Sequence, residues 1–171
     1  MKKIFHNVSV LTESIEKWVV SGAILLMMLN SVSNAIGRYF FGKSLFFAEE
    51  LNQFLIVAIT FIGFAYAVRK GRNIRMTALY DSLGFKARKA LIIVISVVTA
   101  ALMFYLTYKA VFYVLELKDI NRLSPALQFP VYIIYAVIPL GLSIAGIQYL
   151  IAFFMNLTHE EIYLSHEVMD N

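Results

Sequence analysis

Residues 123–158 read LSPALQFPVYIIYAVIPLGLSIAGIQYLIAFFMNLT, 36 positions without one Asp, Glu, Lys or Arg. A hydrocarbon core of about 30 Å needs roughly 20 helical residues at about 1.5 Å rise each, so this run is long enough to cross a bilayer. Three more stretches match it. Trp18–Gly37 carries no charge over 20 residues, Leu51–Val68 none over 18 and Ala90–Tyr108 none over 19. The chain is 171 residues long, 60% hydrophobic, with a mean hydropathy of +0.74. The pattern predicts an all-α membrane protein with four transmembrane helices, at about residues 17–37, 50–69, 89–115 and 130–157. These spans use most of the chain, so residues 1–171 read as one four-helix transmembrane domain. The absence of cysteine excludes thiol catalysis, disulfides and thiolate metal sites.

The placement of charge gives an expected orientation. The net charge is +4, and seven of the fifteen basic residues lie in one loop: Arg69, Lys70, Arg72, Arg75, Lys86, Arg88 and Lys89. With four spans, that loop shares a side with both termini, and Lys2, Lys3 and Lys17 bring the basic count there to ten. The other side has Arg38, Lys43, Lys109, Lys118 and Arg122, five in all. The bias predicts an N-in/C-in protein, with residues 69–89 cytoplasmic and residues 38–50 and about 110–128 facing outward. Basic residues that flank spans are topology determinants and headgroup contacts, and they form no nucleic-acid-binding module. Lys2 and Lys3 resemble the start of a signal peptide. However, 17 residues with Glu13 and Glu16 among them precede the apolar run, so the first stretch is expected to be a retained helix.

Ile4, Val8, Leu11 and Ile15 fall on one helical stripe, with Lys2, Lys3, Asn7, Ser9 and Glu13 mostly off it. Residues 2–16 are therefore expected to form an amphipathic helix in the headgroup layer before the chain turns into the first span. Asn30 and Asn34 share a face that lipid cannot satisfy. That face is expected to meet protein or a water-filled crevice, with helix-to-helix glue inside the bundle the plainer reading and a ligand site the other. Glu49 and Glu50 open the second span and Arg69 closes it, which suits the helix dipole. Tyr105, Tyr108, Lys109, Phe112 and Tyr113 form an aromatic collar of the kind found at a membrane boundary. Lys109 either snorkels there or pairs with Glu49 or Glu50 at the same level. Pro130 suits a helix start, and Pro139 interrupts the fourth span. Residues 159–171 are polar and acidic and read as a loosely held tail.

Several chemistries are missing. His6, His159 and His166 all lie outside the spans, which argues against a membrane haem. No metal-hydrolase or phosphate-loop motif is present, so no enzyme activity and no cofactor are expected. No acid lies mid-span, where a cation-coupled carrier needs one. The paired broken helices of a secondary transporter are absent too, since only the fourth span is interrupted. A membrane protein without buried ionisable groups reads as an accessory subunit of something larger.

Residues 38–74 narrow this. Arg38-Tyr39-Phe40-Phe41-Gly42, Leu45 and Ala48-Glu49-Glu50 lead into the second span. That span ends Phe61-Ile62-Gly63-Phe64-Ala65-Tyr66-Ala67-Val68-Arg69-Lys70-Gly71-Arg72-Asn73-Ile74. The ordered set resembles the DctQ-like small membrane subunit of tripartite ATP-independent periplasmic (TRAP) transporters. Phe47 and Asn73 stand where the family often has tryptophan and histidine. The resemblance implies a non-catalytic subunit of a sodium-driven importer in a bacterial inner membrane. Its partners would be a large membrane subunit that carries the solute, a periplasmic substrate-binding protein, and phospholipids. Substrates of the sialic acid or C4-dicarboxylate type are implied. Arg38, Glu49, Glu50 and Lys109, with Asn30 and Asn34, become the expected partner-facing residues, and residues 38–50 and 116–128 the docking surface. Arg69, Lys70, Arg72 and Arg75 are expected at cytoplasmic headgroups. The alternative is a stand-alone homodimeric multidrug-type carrier with Glu50 as its coupling acid, to which the position of Glu50 at a span end is the objection.

Overall fold

The computed structural model describes residues 2–71 and 83–165, with side chains from residue 12 onward. Arg72, Arg75 and His166 lie outside the described residues, as do the side chains of Ile4, Val8 and Leu11.

Helix α1 runs from Lys2 to Phe41, 40 residues. At about 1.5 Å per residue it is roughly 60 Å long, about twice the hydrocarbon thickness. The turn expected where residues 2–16 meet the first span is not a break in the helix. The sequence supplies no glycine or proline before Gly22 to make one. Gly42, at φ 63°, then ends the helical path. Helix α2 spans Ala48–Arg69 and stops at Gly71, whose φ of 60° favours glycine. Helix α3 spans Phe85–Asp119. The last span is two pieces, α4 (Val131–Tyr135) and α5 (Val137–Thr158), which together form one candidate crossing, Val131–Thr158. Pro139 explains the interruption. It has no N–H to donate to the Tyr135 carbonyl, and its ring crowds that oxygen, so the helix breaks at Ala136.

All four candidate crossings are long and apolar enough to span a membrane. They pack as a row: α1 lies on α2, α2 on α5, and α5 on α3, with no comparable packing between α1 and α3. The outer helices each bury one stripe. On α1 it contains Glu16, Ala23 and Asn30, seven apart, and on α3 it contains Ile92, Ser96 and Ala100, four apart. Helix α5 is central and buries small residues, Gly141, Ala145, Gly146 and Ala152 among them. Lipid supplies no hydrophobic drive between helices, so close backbone approach is what holds them. Gly141 is the tightest point. A Cβ there would lie 2.7 Å from the Phe61 carbonyl carbon and nearer still to its oxygen.

Residues 159–165 are not the loose tail that their polarity suggests. Asn156, fully buried, donates through Nδ2 to the Tyr163 carbonyl at 2.7 Å and accepts from the Tyr163 N–H at 2.9 Å. That pair folds the segment back and buries Ile162 and Ser165, with Ile162 packed near Ile92 of α3. The turn works because one buried asparagine satisfies both backbone groups of a residue seven positions on.

Candidate docking surface

The end of the row that holds the 41–48 and 120–130 connections is built by three asparagines and a glutamate. Asn30 donates through Nδ2 to the Ala48 carbonyl at 2.7 Å and to Asn52 Oδ1 at 2.8 Å. Asn52 in turn donates to Ser31 Oγ at 3.0 Å. Four residues further along α1, Asn34 Oδ1 accepts from the Leu45 N–H at 2.8 Å. The side chains of α1 thereby fasten both the connection and the first turns of α2. An amide in an apolar layer costs several kcal/mol if left without a partner, so these bonds specify how α1 and α2 register. Asn30 is only 8% exposed, which removes it from the expected partner surface. Asn34 is half-buried, and its Oδ1 is engaged within the chain. Glue between α1 and α2 is what the geometry gives them. Asn30→Ala is expected to destabilise the fold by about 1–2 kcal/mol, read as an earlier unfolding midpoint in a denaturing-detergent titration.

Glu50 organises the second connection. Its Oε2 accepts from the backbone N–H of Ala126 at 3.0 Å and of Leu127 at 2.8 Å. Residues 120–130 are otherwise closed by their own bonds: Ser124 N–H to the Phe129 carbonyl at 2.9 Å, and Val131 N–H to the Arg122 carbonyl at 3.1 Å. Asn121 and Gln128 take positive φ to make the turns, and Ser124 is buried beneath them. A carboxylate that accepts two N–H groups is a strong fastening. In Glu50→Ala, amide hydrogen exchange at Ala126 and Leu127 should accelerate roughly tenfold, the loss of about one charge-assisted bond.

The remaining expected residues stand apart. Arg38 and Glu49 are exposed, and among the described residues neither forms an ion pair. Lys109 is exposed and lies over the rings of Tyr105 and Tyr108, 5.7 and 5.9 Å from their centroids. The pairing of Lys109 with Glu49 or Glu50 is therefore not made within the chain. The cation rests on aromatic faces instead, an arrangement worth about 0.5–1 kcal/mol at exposed sites. Around this end Tyr39, Phe40, Phe41 and Phe46 are exposed large aromatic side chains.

The opposite end corrects a further expectation. Arg69 does not reach headgroups. Its side chain is 3% exposed and its Nη2 lies 3.1 Å from Glu16 Oε1, itself 4% exposed. Beside it, Lys70 Nζ lies 2.7 Å from Glu13 Oε1, both about a quarter exposed. Two acids one turn apart on α1 meet two adjacent bases at the end of α2. The signal was present in the sequence, since Glu13 and Glu16 stand next to an apolar run and lipid offers them no counter-charge. Asn52 likewise sat in an apolar span without an assigned role.

Among the described residues no cluster of three His, Asp or Glu could hold a metal ion. The buried ionisable groups, Glu16 and Arg69, both lie at one end of the row.

Residues 27–159 match the family described as tripartite ATP-independent periplasmic transporters, DctQ component. The ectoine TRAP transporter small permease protein TeaB of Halomonas elongata is 48% identical over 167 residues, covering 98% of this chain and 86% of that protein. Family subunits of this kind work beside a large membrane subunit and a periplasmic binding protein. The chain belongs to the DctQ family and is a small permease subunit of a TRAP transporter, a multi-pass inner-membrane transport component and not an enzyme.

Proposed function

We propose that this chain is the scaffold of a sodium-driven TRAP importer for small organic acids, with an ectoine-like solute as its cargo. The observation that carries the scaffold reading is the row. A solute path needs helices around it, and four helices side by side have no inside. The described spans also bury no ionisable group between their ends that could coordinate a coupling ion. Solute and sodium would then pass through the large subunit.

The related permease subunit is named for ectoine. Ectoine is a small zwitterion with one carboxylate, so it keeps the organic-acid expectation and replaces sialic acid or a C4-dicarboxylate as the first candidate. The positive-inside bias supports both termini in the cytoplasm. The first turns of α1 would then run through the cytoplasmic headgroup layer, and the Glu50-fastened loop would face the periplasm. There Arg38, Glu49 and Lys109 are exposed and available to the large subunit or the binding protein. A stand-alone carrier using Glu50 fits less well, because Glu50 Oε2 is held by two backbone donors at a helix end.

Uptake of labelled ectoine tests the substrate. Cells that lack their own ectoine uptake, given this chain with its large subunit and binding protein, should accumulate it. Uptake should collapse when sodium is replaced by choline, and excess succinate or sialic acid should not compete. Competition by either acid, or uptake indifferent to sodium, would overturn that part of the reading.

A further inference from the structure

We infer that a groove at the start of α3 binds an anionic phospholipid. The groove has a volume of about 430 Å³ and is lined by Phe85, Lys86, Lys89, Ala90, Ile93 and Glu160. It is an open surface groove, wide enough for a phosphate headgroup beside the upper part of one acyl chain.

Three observations point to this occupant. The first is depth. Lys86 and Lys89 are the last charges before the charge-free run Ala90–Tyr108, so the groove crosses the level where headgroups give way to hydrocarbon. Its wall changes in the same order, from two ammonium groups to Ala90 and Ile93. The second is charge. Lys89 Nζ donates to the carbonyl oxygens of His159 at 2.6 Å and Glu160 at 3.4 Å. Carbonyls carry no formal charge, so that lysine remains uncompensated by them. Lys86 is exposed and makes no ion pair among the described residues. Two lysines against the one carboxylate of Glu160 leave the wall one positive charge, which the single negative charge of a phosphodiester matches. The third is construction. The folded-back segment 159–165, pinned by Asn156, is what puts Glu160 and the two carbonyls beside α3 and closes one side of the groove. Basic pockets between transmembrane helices are a recurrent form of lipid-headgroup site. The inference does not depend on the substrate or on the orientation of the chain.

The chain has one tryptophan, Trp18, on α1, which packs on α2 and stands on the opposite side of the row from α3. Phe85→Trp in a Trp18→Phe background therefore reports on the groove alone. The protein is placed in nanodiscs whose phosphatidylglycerol or phosphatidylcholine carries brominated acyl chains. Half-maximal quenching should need a roughly fivefold lower mole fraction of the phosphatidylglycerol, about what one lysine near a membrane surface supplies. Lys86→Glu should abolish that preference, and Lys17→Glu, at the same end of the row but on α1, should leave it. Equal quenching by the two lipids, or a preference that survives Lys86→Glu, would overturn the site. Relief of quenching by millimolar inorganic phosphate would mean that the groove takes a free anion, and would overturn a lipid occupant as well.

Discussion

Arg69→Ala is expected to cost the folded chain about 3–5 kcal/mol, because it takes the Arg69 guanidinium away from the buried Glu16 carboxylate. Among the described residues Arg69–Glu16 is the more deeply buried of the two ion pairs named above. Arg69 is 2% exposed and Glu16 3%. Their bond joins residues 53 apart in sequence, so it ties the N-terminal turns of α1 to the end of α2. The neighbouring Lys70–Glu13 pair is about a quarter exposed on both sides, and its loss should cost no more than about 1 kcal/mol. The contrast separates burial from charge. Both variants remove one cation from the same turn, and only one should move the unfolding midpoint far. The double change Glu16→Gln with Arg69→Met should cost much less than the sum of the singles, since neither half-pair is then left behind. Additive losses would show that the two side chains act through other contacts.

Gly141→Val should be comparably damaging by a different route. The approach of Phe61 to Gly141 is backbone against backbone, and no side-chain rotation can relieve it. Even alanine must move α2 and α5 apart. Overpacking of this kind costs typically 1–3 kcal/mol for added methylenes, and valine, with two more carbons than alanine, belongs at or above about 3 kcal/mol. Gly22 is the control, because nothing lies within 4 Å of the Cβ it would gain. Gly22→Ala should leave stability unchanged or slightly raised. Because α2 and α5 are the two inner members of the row, parting them should also weaken association with the large subunit. Co-purification with that subunit would register this alongside the unfolding midpoint.

The readability of these features followed from how many dimensions each requires. Length and charge along one chain suffice for a span, so the run 123–158 announced itself. Asn30 and Asn34 were legible as glue because two amides four residues apart must share a face. The row was not legible. All four spans are apolar over most of their surface, so periodicity does not say which faces meet. The order is decided by local fits such as Gly141 on Phe61, and Gly146, where an added Cβ would lie 3.3 Å from Met103 and Phe104. Arg69 was misplaced because counting basic residues in a loop says nothing about an acid 53 positions upstream. The tail was misjudged because its polarity concealed Ile162 and the anchoring asparagine in the span before it. Glu50 looked like one of a pair with Glu49. Only the folded loop shows that one carboxylate is a structural acceptor and the other faces outward.

Reconstitution in proteoliposomes tests most directly whether this chain supports transport or performs it. Under an inward sodium gradient, the large subunit, the binding protein and this chain together should take up labelled ectoine. Liposomes that hold this chain alone should show none, and omission of the chain should abolish the signal. Uptake by this polypeptide by itself, or an unchanged rate in its absence, would contradict the account.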